Sequence, residues 1–162
     1  VIVHRILPWG ALFALACNGG SPSAPPLDSC NAATAGSVDA LEMGAAVEAD
    51  LSGNPPAAFT PLAEGDGVPL LRGNQGGYMV GFVYRVSGAA APACLGQKTV
   101  VSDAAGMRVT GATVPLKTYP QPDGTRITAA LWMPAEYPAN FSVTVDAADK
   151  SLTRHLHLNL IK

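Results

Sequence analysis

Apolar and polar positions alternate most clearly over residues 78–86. Tyr78, Val80, Phe82, Tyr84 and Val86 share one face, and Met79, Gly81, Val83 and Arg85 share the other. A period of two, rich in aromatic and β-branched residues, predicts a strand. The aromatic face carries the larger apolar area and is assigned to the core, which sends Met79, Val83 and Arg85 outward. Phe82 is then a costly position to truncate and Val83 a tolerant one. Residues 73–77, Gly-Asn-Gln-Gly-Gly, reach positive φ at little steric cost, so 68–72 and 78–86 are expected to pair about a tight turn.

The same reading extends along the chain. Residues 41–47 predict a first strand with Leu41 and Met43 inward, and residues 59–62 a short one limited by Pro61. Strands follow over 98–102, over 107–116 (where the alternation blurs after Gly111), and over 125–133 ending before Pro134. Phe141, Val143 and Val145 alternate with polar residues, and 151–161 predicts the last strand. Turns are marked at 64–67, 103–106, 120–124 and 146–149 by Gly, Pro and Asp. No segment predicts a helix of two full turns. Short strands with turn signals about every 8–12 residues predict an all-β, immunoglobulin-like β-sandwich of about seven to nine antiparallel strands.

Composition supports this class. The chain has 162 residues, with 17 Gly, 14 Pro and only 14% charged residues. Gly, Pro, Ala, Val and Thr dominate, and helix-rich runs of Glu, Lys, Leu and Arg are absent. The formal net charge is -2 and Lys and Arg are dispersed, which argues against a nucleic-acid partner.

The N-terminal part differs from the rest. Arg5 precedes an apolar run from Ile6 to Ala16, too short for the roughly 20 residues a spanning helix needs. This is the layout of a bacterial export signal, assigned to residues 1–16. Ala14-Leu15-Ala16-Cys17 resembles the lipobox of bacterial lipoproteins, with Ala14 where that pattern prefers Leu. The resemblance implies lipidation of Cys17 and attachment to a membrane, since two or more acyl chains give stable anchoring. Residues 17–37 are rich in Pro, Gly, Ser and Ala and predict a flexible tether. The folded domain is assigned to 38–162.

Residues 59–68, Phe-Thr-Pro-Leu-Ala-Glu-Gly-Asp-Gly-Val, and 71–80, Leu-Arg-Gly-Asn-Gln-Gly-Gly-Tyr-Met-Val, resemble a pattern in uncharacterised bacterial lipoproteins of myxobacterial type. The resemblance covers residues 40–160 in layout and 59–86 in motif. It implies an immunoglobulin-like domain in the cell envelope, on the periplasmic side or the outer membrane surface, and implies no activity. Asn74 stands where that pattern has Pro, and Met79 stands near a position that often carries His.

Two cysteines remain after Cys17. In an exported chain Cys30 and Cys94 are expected to form a disulfide. Closing a loop of about 65 residues would contribute about 4 kcal/mol through chain entropy. No CxxC spacing favours a metal site there.

His155, His157 and Asn159 share one face of the predicted last strand, and Leu156, Leu158 and Leu160 the other. A His-x-His pair suits Cu(II), Ni(II) or Zn(II), so periplasmic copper binding is the alternative function. The plainer reading is a polar outer face on an amphipathic strand, because a third ligand is missing. Met43, Met79, Met107 and Met133 are scattered, which fits core filling better than copper ligation. The glycines of 73–77 open no helix and precede no Gly-Lys-Ser/Thr, so they form no phosphate loop. Asp103, Asp146 and Asp149 lie in turns; weak calcium binding is the alternative there, and solvated turns are the plainer expectation.

No Gly-x-Ser-x-Gly or His-Glu-x-x-His motif occurs. The expectation is a lipid-anchored, non-enzymatic envelope module without a cofactor, whose partner is an envelope protein or glycan.

Overall fold

The computed structural model describes residues 30, 32–46, 55–56, 58–72, 77–134 and 139–159. The predicted leader, Cys17 and the turn at 73–76 lie outside the described residues. Among the described residues there is no helix, and every regular element is a strand: β1 (Ala40–Ala45), β2 (Gly67–Pro69), β3 (Leu71–Arg72), β4 (Tyr78–Ser87), β5 (Cys94–Asp103), β6 (Arg108–Pro120), β7 (Arg126–Thr128), β8 (Leu131–Pro134), β9 (Asn140–Ala147) and β10 (Lys150–Asn159).

The strands run in the order β1-β4-β7-β6-β5-β9-β10-β2, with β3 and β8 also paired to β4. The fold is all-β, as the alternation predicts. Among the described residues ten strands form, where about seven to nine were expected. One pairing, β10 with β2, is parallel, so the sheet is mixed rather than wholly antiparallel. Strand β6 turns the corner of the sheet: residues 94–102 of β5 pair along its length, and Thr118, Tyr119 and Pro120 at its end pair with β7.

The sheet curls until its two ends almost meet. The segment from Pro61 to Leu70 closes most of the gap. Its start lies on β1, through a bridge between Pro61 and Gly44 and a bond from Leu62 N–H to Met43 O of 2.7 Å. It then crosses to β10, where Gly65 N–H donates to His155 O at 2.8 Å and His157 N–H donates to Asp66 O at 3.1 Å. Arg154 Nε also donates to Leu62 O at 3.1 Å. Gly44 permits the approach on the β1 side, because a Cβ there would sit 2.8 Å from Thr60 O and from the Phe59 ring. The result is a nearly closed barrel.

Its interior is filled by alternate residues of β4, β5, β9 and β10. Val80, Phe82, Tyr84 and Val86 point in, with Leu95 and Val101, Phe141, Val143 and Val145, and Leu156. The predicted register of β4 therefore holds from Val80 to Val86. Tyr78 departs from it: this residue is 56% exposed at the strand's start. Val83 departs in the opposite sense. It was assigned to the outer face, and it is on that face, but it is 1% exposed. A second cluster of Val83, Ala46 and Ile127, flanked by Phe59, Ala130 and Trp132, covers that side of the sheet. Gly81 makes room for it, since a Cβ at Gly81 would lie 2.6 Å from Trp132 and 2.8 Å from Ala46.

Several predicted strands are divided differently. The stretch 59–62 forms only the isolated bridge at Pro61. The stretch 68–72 splits into β2, which pairs with β10, and β3, which pairs with β4. The stretch 125–133 splits into β7 and β8, which pair with the two halves of β4. Met43 and Met133 fill the core as expected, while Met107 is 69% exposed.

Candidate functional site

The two histidines lie on β10, as the alternation of that strand requires. Leu152, Leu156 and Leu158 face the core, and His155, His157 and Asn159 face out. Both imidazoles meet the closing segment. His155 Nδ1 lies 2.6 Å from Glu64 Oε1, and its backbone N–H donates to Glu64 Oε2 at 3.1 Å. His157 Nδ1 lies 3.0 Å from Gly65 O. The turn presenting these acceptors is fixed by Asp66, whose Oδ2 accepts from Ala63 N–H at 2.7 Å.

These contacts place a hydrogen on Nδ1 of each ring. A carbonyl oxygen only accepts, so His157 Nδ1 carries the hydrogen. The Glu64 carboxyl is held below its ordinary value, chiefly by the backbone N–H of His155, with desolvation opposing and the His155 ring adding to the lowering. It is an acceptor at neutral pH, so His155 Nδ1 also carries the hydrogen. These two contacts engage Nδ1 and do not use Nε2, the second nitrogen of each ring.

The rings border a hollow of about 400 Å³. Gly65, His155 and His157 line it together with residues that include Asp103, Gly106, Asn140 and Ser142. Asp103 Oδ1 accepts from Ala105 N–H and Met107 N–H, both at 2.9 Å, which holds the 103–107 turn. Among the described residues no three His, Cys, Asp or Glu side chains converge as a ready-made metal cage.

Glu64 is the partner that sequence reading missed. The stretch Glu64-Gly-Asp-Gly67 signals a turn, and nothing local connects it to a strand 91 residues further on. Another acidic turn also reaches a distant segment. Asp149 pairs with Lys150 at 3.3 Å and accepts from Val38 N–H at 3.5 Å.

Cys30 and Cys94 form the predicted disulfide, with Cα atoms 5.6 Å apart. Thr34 reinforces it: its N–H donates to Cys94 O at 2.9 Å, and its hydroxyl accepts from Cys94 N–H at 3.0 Å. A second hollow of about 490 Å³ adjoins this bond, bordered by Lys117, Tyr119 and Arg126. Its cations are engaged. Arg126 donates from Nε to Thr118 Oγ1 at 2.7 Å, and Lys117 Nζ lies 5.3 Å from the Tyr119 ring centre.

No family model, curated protein or solved structure matches this chain.

Proposed function

We propose that this chain is a lipid-anchored protein of the bacterial cell envelope, in which an immunoglobulin-like domain serves a binding or structural role without catalysis. Cys17 is the lipidated residue, residues 17–37 hold the domain off the membrane, and the partner is an envelope protein or glycan. The observation that carries this reading is the Cys30–Cys94 bond. Disulfides persist in oxidising compartments outside the cytoplasm, which is where an export leader would deliver the chain. The likeness of residues 59–86 to lipoproteins of myxobacterial type points the same way.

Expression of the full chain in a Gram-negative host with labelled palmitate tests it. Label in the wild type and none in Cys17→Ser is the expected result. Equal labelling of both, or recovery of both as soluble periplasmic protein, overturns it.

A further inference from the structure

We propose that His155 and His157 form a surface site for Cu(II), binding it through their two Nε2 atoms. The proposal is independent of the anchoring reading and needs only the folded domain. Three observations converge on it.

The first is the pair of Nδ1 contacts. Histidines that ligate metals usually donate the other ring N–H to a carboxylate or a backbone carbonyl, which orients the ring and raises its basicity. Here His155 donates to the Glu64 carboxylate and His157 to the Gly65 carbonyl. The second is spacing. Residues two apart on a strand have Cα atoms about 6.6–6.8 Å apart and side chains on one face. Their Nε2 atoms take cis positions on one ion when each leans inward by about 1.5–2 Å, given metal–nitrogen bonds of about 2.0 Å. Both rings are pulled toward consecutive residues, 64 and 65, which keeps them side by side. The third is the surroundings. The hollow beside the rings admits water to the remaining coordination positions, and the carboxylates of Asp103, which lines it, and of Glu64, which contacts His155, favour a cation there.

The donor set selects the ion. Two imidazoles with waters suit the tetragonal geometry of Cu(II), which also leads the divalent series in affinity for nitrogen donors. Zn(II) sites usually draw on three or four protein ligands, and only two are offered here.

The test is titration of the full chain, disulfide intact and held in detergent, with Cu²⁺ against a competing chelator. The expected result is one Cu²⁺ per chain at micromolar Kd or tighter, weakened at least tenfold in His155→Ala and in His157→Ala. Wild-type binding weaker than that, or a smaller loss in either variant, overturns the proposal. Because His155 also helps close the barrel, a measurement on the wild type stands beside the variants. Pulsed EPR of the Cu²⁺ form labelled with ¹⁵N-histidine should show two coordinated imidazoles, and one or none overturns it. Glu64 acts as a positioning residue. Glu64→Ala should weaken binding by about 10-fold or more, with Glu64→Gln restoring it by keeping an acceptor for Nδ1–H; unchanged binding in Glu64→Ala overturns the orienting role.

Discussion

The hydroxyl of Tyr84 on β4 lies 2.6 Å from the hydroxyl of Thr99 on β5, and both side chains are fully buried. Thr99 in turn donates to Gln97 Oε1 at 2.5 Å, and Gln97 Nε2 donates to Val114 O at 3.2 Å. Thr99 spends its one hydrogen on Gln97, so Tyr84 is the donor of the first bond. The chain of bonds links β4, β5 and β6 through the barrel, and Tyr84 and Thr99 are both 0% exposed. Tyr84→Phe should cost about 1–2 kcal/mol, and Thr99→Val about 1–3 kcal/mol because it strands two partners. Urea unfolding of both singles and the double variant should give a non-zero coupling energy.

The second cluster on the outer face of β4 makes a sharper forecast. Phe82→Ala, in the main core, should cost about 3–5 kcal/mol. Val83→Thr places a hydroxyl among Ala46, Ile127 and Trp132, and should cost about 1–3 kcal/mol. Outer-face exposure of Val83 would instead leave that substitution nearly neutral, so urea unfolding of this variant distinguishes a covered face from an open one.

Ala148 begins the two-residue turn between β9 and β10 with a φ of 52°. A left-handed conformation costs a residue with a Cβ roughly 1–2 kcal/mol. Ala148→Gly removes that strain at the expense of a more flexible unfolded chain, and should stabilise by about 0.5–1 kcal/mol. Thermal unfolding should show a higher Tm.

Acid should weaken the fold in a definite direction. Glu64, Asp123 and Asp149 all have their pKa held below the ordinary value, Glu64 first by the His155 N–H, Asp123 first by the Thr125 hydroxyl, and Asp149 first by Lys150. A lowered folded pKa means that stability is fully present above the unfolded pKa and is lost as pH falls through the folded pKa. The loss should therefore begin near the ordinary values of 4.5 for Glu and 3.8 for Asp and continue below them. In urea midpoints recorded across this range, Glu64→Gln should show a shallower fall than the wild type.

Reduction of Cys30–Cys94 frees a loop with a sequence separation of 64. The entropy of closing such a loop predicts a loss of about 4 kcal/mol. The Cys30→Ser/Cys94→Ser variant should unfold at correspondingly lower urea, with residues 30–36 losing amide protection first.

The periodic parts of the chain were legible from its letters. Residues 141–147 and 150–159 alternate because each strand has one face on the core, and the facing of His155 and His157 follows directly. What alternation does not tell is whether the opposite face is also covered. Val83 has the same parity as the half-buried Met79 and Arg85, and its full burial depends on Phe59 and Trp132 arriving from elsewhere in the chain. Nor does local pattern tell which neighbours a strand takes. Strands β7 and β8 are separated by only two residues, and both pair along one edge of β4. The candidate site was half legible for the same reason: the imidazoles share a strand, but their orienting acceptors come from a distant turn.

The closing segment also bears on when the domain can fold. Residues 61–70 make their pairing with β10, which is synthesised last among the described strands. Strand β2 is made early, yet its parallel partner emerges about 90 residues later. Contacts of such sequence separation carry their loop-closure entropy before they contribute any stability. Ring closure should therefore be the late event, with a folding time in the millisecond-to-second range of non-local β proteins. A nascent chain stopped short of Arg154 would keep an open seam between β1 and β9, and completion of β10 is the step that turns a curled sheet into a near-barrel.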